Sequence, residues 1–101
     1  MELLPEALKK QLPPILTMTI EEDPLVICKF FCPEFRRQWY AIKFDGHNTF
    51  FGWVNDDGYY AAFDFFSLTE LQAAHLVLGC PIQRDLAFQP RRLSQVRAEA
   101  K

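Results

Sequence analysis

Glycine is scarce, with four residues in 101. A phosphate-cradling loop needs several close glycines, so that backbone N–H groups can approach the anion. No such loop, no dinucleotide fingerprint, no H-E-x-x-H and no G-x-S-x-G occurs. Imidazoles and thiols are few as well: His47, His75, Cys28, Cys32 and Cys80. Zinc sites show close Cys or Cys/His pairs, usually two of them. Cys28 and Cys32 lie in a strand-like run, where four residues span about 13 Å, too far to chelate one ion. The cysteines are therefore expected to be small buried apolar groups, with no metal bound. Their odd number, with no signal-like start, predicts reduced thiols in a cytoplasmic protein. Cys80 follows a helix end whose dipole disfavours a thiolate. His47 sits in a turn with no nucleophile nearby, and His75 is placed to meet terminal helix carbonyls. No catalytic residue and no cofactor is expected.

Excess charge is also missing. The net charge is −2, which gives no whole-chain footprint for nucleic acid. The distribution is uneven. Residues 1–24 carry two lysines against five acids, whereas residues 67–101 carry five basic groups against three acidic. Arg91, Arg92 and Arg97 make the last eleven residues a basic tail expected to fray. They are the candidate contacts if the partner is nucleic acid. No run approaches the ~20 apolar residues of a membrane span, so no membrane partner is expected. The length predicts a single domain over 1–101.

Aromatic rings are what the chain does have. Fourteen of fifteen fall between Phe30 and Phe66. Alternation predicts strands over Leu25–Phe31, Gln38–Phe44, Thr49–Val54 and Tyr59–Phe66. The connections are four or five residues long, which selects antiparallel hairpins, since parallel crossovers need a dozen or more. Asp45-Gly46 and Asp57-Gly58 supply turn signals. Leu16, Met18 and Ile20 alternate with polar residues and predict a further extended edge.

Leu4, Leu8 and Leu12 recur with helical spacing over Leu4–Leu12, between Pro5 and Pro13-Pro14. Ser67-Leu68-Thr69-Glu70 matches a capping box and predicts a helix from Leu68 to about Leu76, stopped by Gly79 and Pro81. Arg84–Phe88 reads as short and extended, and Leu93–Ala100 as a weak helix. Asp64, between Phe63 and Phe65, is expected to pair with a cation such as Lys43 or Arg84. The predicted fold is α+β: a four- or five-stranded antiparallel β-meander, with an N-terminal helix and one helix after the fourth strand packed on it.

Neither face of that sheet is plainly polar. Parity alone puts Trp39, Phe50, Tyr59, Phe63 and Phe65 on one face. It puts Tyr40, Phe44, Phe51, Trp53, Tyr60 and Phe66 on the other. Two short helices do not cover both, so a protein partner or a second copy is expected, with Trp39, Phe50, Trp53, Tyr59 and Tyr60 as candidate contacts.

Several stretches in order resemble a known family. They are Leu3-Leu4-Pro5-Glu6, Leu12-Pro13-Pro14, Lys29-Phe30-Phe31, Trp39-Tyr40, Phe44-Asp45-Gly46 and Thr49-Phe50-Phe51-Gly52. Phe66 to Leu71 and Pro81 to Pro90 continue the series. The chain is similar to the small bacterial family catalogued as domain of unknown function 2958. That resemblance implies plasmids and integrative elements as the setting, near genes for DNA transfer and antirestriction. It implies no catalytic residues, and its pattern does not include the cysteines. The expected function is a non-catalytic interaction module of such an element. The alternative is a nucleic-acid-associated accessory protein acting through its basic tail.

Overall fold

A computed structural model describes residues 2–15, 22–56 and 60–99. In chain order the elements are helix α1 (Glu6–Lys9), strands β1 (Leu25–Val26), β2 (Cys28–Cys32), β3 (Arg37–Phe44), β4 (Thr49–Asp56) and β5 (Tyr60–Ser67). There follow α2 (Leu68–Ala73), α3 (His75–Leu78), β6 (Gln83–Arg84), β7 (Arg91–Arg92) and α4 (Leu93–Glu99). The fold is α+β. Strands β2 to β5 form the expected antiparallel meander, and β6 joins beyond β2 to give the order β5-β4-β3-β2-β6. The extended edge expected at Leu16–Ile20 and the Asp57-Gly58 turn lie outside the described residues.

The β3–β4 turn shows how the meander is made. Asp45 Oδ1 accepts the backbone N–H of His47, Asn48 and Thr49, at 2.8, 2.9 and 3.1 Å. Those three bonds hold its carboxyl below the usual carboxylate range. Gly46 takes φ +90° there, a conformation open to glycine without penalty. Two residues on, Asn48 ties the hairpin to α2. Its carbonyl accepts from Leu68 N–H, and its side chain accepts from the Thr69 amide and hydroxyl.

The expected first strand is broken at Ile27. Leu25–Val26 pairs with β7, while Cys28–Cys32 pairs with β3. Opposite this break β3 carries a bulge between Ala41 and Lys43. One extra residue reverses side-chain parity beyond it. Phe44 therefore points with Trp39 rather than with Tyr40. Across β4 and β5 the register pairs Phe50 with Phe66, and Trp53 with Phe63. The true grouping is Trp39, Phe44, Phe50 and Phe66 against Tyr40, Phe51, Trp53, Phe63 and Phe65, which corrects the parity-based division.

The first group faces the helices. Phe30 and Phe50 are fully buried there, among Leu3, Leu12, Leu71 and Ile82. Helix α1 is shorter than its leucine stripe suggests, because Leu12 N–H reaches back to Lys9 in a tighter turn and Pro13 has no N–H to continue. The second group faces α4, whose Leu93 and Val96 bury against Val26, Tyr40 and Ile42. The segment expected to fray is thus anchored, by β7 pairing and by this helix. Asp85–Phe88 is a turn rather than an extended run, with Asp85 accepting the Ala87 and Phe88 amides.

Ser67 is the N-cap of α2, and its hydroxyl oxygen accepts the Glu70 N–H at 3.0 Å. Ser67→Ala should lower stability by about 1 kcal/mol, because that amide loses its partner. Coincident denaturant midpoints for the variant and the wild type would show that the cap contributes nothing.

Candidate functional site

Helix α4 covers only part of its face of the sheet. Along the uncovered part, rings run in contact from β4 to the edge strand β5. Phe51 stacks on Phe63 at 5.7 Å between centroids, meets Phe65 edge-on at 5.1 Å, and Trp53 meets Phe63 edge-on at 5.1 Å. Phe65 is 45% exposed, and Phe63 and Trp53 are half-buried. The Arg97 guanidinium lies 4.8 Å from the Trp53 ring centroid, a cation–π arrangement. Between α4 and the sheet runs an open groove of about 420 Å³, lined by Tyr40, Trp53, Asn55, Ala61, Ser94 and Arg97. At its floor the Tyr40 hydroxyl donates to Gln38 Oε1, and burial pushes its pKa up to about 12. This surface offers stacking area, one cation and a few amide or hydroxyl groups.

The expected interaction residues do not share one surface. Trp39 and Phe50 are buried in the helix-side core, because the face they share is the one packed against Leu3, Leu12, Leu71 and Ile82. Trp53 lies in the aromatic strip. Tyr60 is 46% exposed at the start of β5, and by register it belongs to the helix side, opposite Asp56. Tyr59 lies outside the described residues. Phe63, Phe65 and Arg97 complete the strip. Alternation in β5 carried the signal for the two phenylalanines, but nothing local announced that Arg97 would fold back onto Trp53.

The three tail arginines hold intramolecular positions. Arg91 pairs with Glu99 at 2.6 Å, donates to the Gln89 carbonyl, and lies 4.1 Å from the Phe88 ring centroid. Arg92 donates to the Asp23 carbonyl. Nearby, Asp23 accepts from the Ser94 hydroxyl and amide, which lowers its pKa.

Asp64 is exposed. Its Oδ1 accepts the amide of its own neighbour Phe65 at 2.8 Å, in place of the expected cation pairing. Arg84 donates to the Glu2 and Leu3 carbonyls. His47 belongs to the turn, and His75 lies 3.1 Å from the Gln72 carbonyl. Cys28 is free and buried, and burial pushes its thiol up to about 12. Cys32 and Cys80 are joined by a disulfide, where the sequence predicted reduced thiols. Among the described residues no group of three His, Cys, Asp or Glu side chains could hold a metal ion. None of the described helices is long and apolar enough to cross a membrane.

A family model for a protein of unknown function matches residues 3–101, nearly the whole chain. No curated protein and no solved structure matches it.

Proposed function

The chain belongs to that family, DUF2958, and from that membership we propose a non-catalytic interaction module that binds protein through the aromatic strip of β4 and β5. The observation that carries this is Phe65, nearly half exposed at the end of a continuous run of rings that α4 leaves open. Aromatic and arginine side chains in a partly desolvated patch are the composition of interface hot spots. Trp53, Phe63, Phe65 and Arg97 provide it. Following the family resemblance, the module is assigned to a plasmid or integrative element of a bacterium and to the cytoplasm. Nucleic acid is the less supported partner, because Arg91 and Arg92 are engaged within the fold and Arg97 lies over Trp53.

Affinity capture from a host carrying the native element tests this. Phe65→Ser is expected to lose the proteins captured by the wild type while staying folded and melting only modestly below it, since the ring is nearly half exposed. Equal capture by both chains would exclude the strip as the binding surface.

A further inference from the structure

The outermost strand of the sheet, β5, presents an open edge. Its inner side pairs with β4 along all eight residues. Its outer side is the end of the sheet order, and among the described residues no strand pairs with it. The Phe65 amide shows which groups point outward. It is bonded to the Asp64 carboxylate and not to β4. In an antiparallel strand one residue's N–H and C=O point the same way, and successive residues alternate. Ala61, Phe63 and Phe65 therefore direct their N–H and C=O groups away from β4.

Open edges are normally blunted by proline, lysine, bulges or short length. The opposite edge follows that rule, being the two-residue β6 with Arg84 in it. Strand β5 does not. It is eight residues long, reads YAAFDFFS, has no proline or lysine, and carries one charge, Asp64.

Resting on the protein-binding reading above, we propose that the partner is a second copy of this chain, joined by antiparallel pairing of β5 with β5 about a two-fold axis at Phe63. The strand is self-complementary in that register. Phe63 exchanges two hydrogen bonds with the partner's Phe63. Ala61 exchanges two with the partner's Phe65, and Phe65 two with the partner's Ala61. Every outward backbone group from Ala61 to Phe65 is then satisfied.

Neighbouring registers are worse. Moving the axis to Asp64 sets two carboxylates directly opposite, where like charges destabilise. Moving it to Ala62 sets Phe65 opposite Tyr59, outside the described residues, and leaves only the Ala61–Phe63 pairs within them. With the axis at Phe63 each Asp64 lies opposite an Ala62. The two carboxylates are then separated by roughly 8 Å of strand geometry, about one Debye length at physiological salt. Side chains agree with this register. The strip Trp53–Phe63 continues across the axis into its copy, and Phe65 comes to rest against Ala61. Two five-stranded sheets become one of ten strands, each end closed by β6.

Asp64 has a distinct part. In the monomer its carboxylate occupies the Phe65 amide, and pairing requires it to let go. It is therefore a gatekeeper that weakens self-association.

The test is light scattering over a dilution series of the full chain, with two variants that push in opposite directions. Ala61→Pro removes an outward N–H that the monomer does not use, and proline is tolerated at such edge positions. It should weaken dimerisation at least about tenfold, since two hydrogen bonds are lost per dimer. Asp64→Ala frees the Phe65 amide and should tighten it. Hydrogen exchange gives a readout that needs no variant. The Ala61 and Phe63 amides should be protected at high concentration and exchange freely on dilution. A chain monomeric throughout the series overturns the proposal, as does a dimer indifferent to Ala61→Pro or one in which those amides stay unprotected. A monomer that still captures another protein through Phe65 would overturn only the self-pairing and leave the interaction module standing.

Discussion

Phe50→Ala is expected to remove about 3–5 kcal/mol of stability, the range for a large aromatic lost from a packed core. Phe50 is fully buried. Its ring lies 5.5 Å from Phe30, 4.7 Å from Phe44 and 5.2 Å from Phe66. Those neighbours come from β2, β3 and β5, so one ring on β4 joins all four long strands. Removing it takes away its own transfer free energy and leaves a cavity that four strands hold open. A domain of this size has about 5–15 kcal/mol in total, so roughly a fifth or more of it is at stake. In urea, with a slope of roughly 1–3 kcal/mol per molar, the midpoint should fall by about 1 M or more. Phe65→Ala is the control. Its ring is 45% exposed, and the same truncation should cost well under half as much. Equal losses at the two positions would show that the helix-side core is not centred on Phe50.

The same cluster shows how far the sequence carried the fold. Strands, turns and the Ser67 cap follow from alternation, from short connections and from an S-L-T-E string, all of them local signals. The bulge at Ala41–Lys43 is not local. Tyr40-Ala41-Ile42-Lys43-Phe44 alternates without interruption, and the extra residue shows only in the pairing of β3 with β4. One missed residue exchanged the face of Phe44, and the β4–β5 register, which sets Phe50 opposite Phe66, took Phe63 and Phe65 off the face of Trp39 and Phe50.

Gly52 belongs to the same region. A Cβ there would fall against the Tyr40 carbonyl oxygen of the neighbouring strand, so the two backbones approach closely only because the residue is glycine. Helix α4 was half legible. Leu93 and Val96 are three apart, the spacing of one helix face. Yet two apolar residues among charges read equally as a tail, until Val26 and Tyr40 are known to face them. Of the candidate surface, Trp53 was legible as an aromatic on a strand. Its grouping with Phe63, Phe65 and Arg97 needed the register and the return of the chain.

Breaking the Cys32–Cys80 bridge should have the second large effect. The pair closes a loop with a sequence separation of 48 residues. In the chain-entropy account, cross-linking a loop of that length stabilises by about 4 kcal/mol. The bond fastens the end of β2 to the segment after α3. There Gly79, at φ +79°, turns the chain so that Cys80 is buried against the sheet. Thiol titration of denatured, unreduced protein should therefore find one reactive cysteine, Cys28. In the native state even that one should resist alkylation, since burial holds its thiol near 12 and the thiolate is the reactive form. Adding reductant should expose all three on denaturation and lower the unfolding free energy by up to about 4 kcal/mol. The Cys32→Ser/Cys80→Ser chain should match the reduced wild type and ignore reductant. Cytosolic thiols are kept reduced, so under the cytoplasmic assignment the reduced value is the one that applies in the cell. Helices α2 and α3 would then be held by Leu71, Leu78 and the Ser67 cap without a covalent tie. Three reactive thiols in the unreduced protein, or midpoints unmoved by reductant, would show that the bridge does not form in solution.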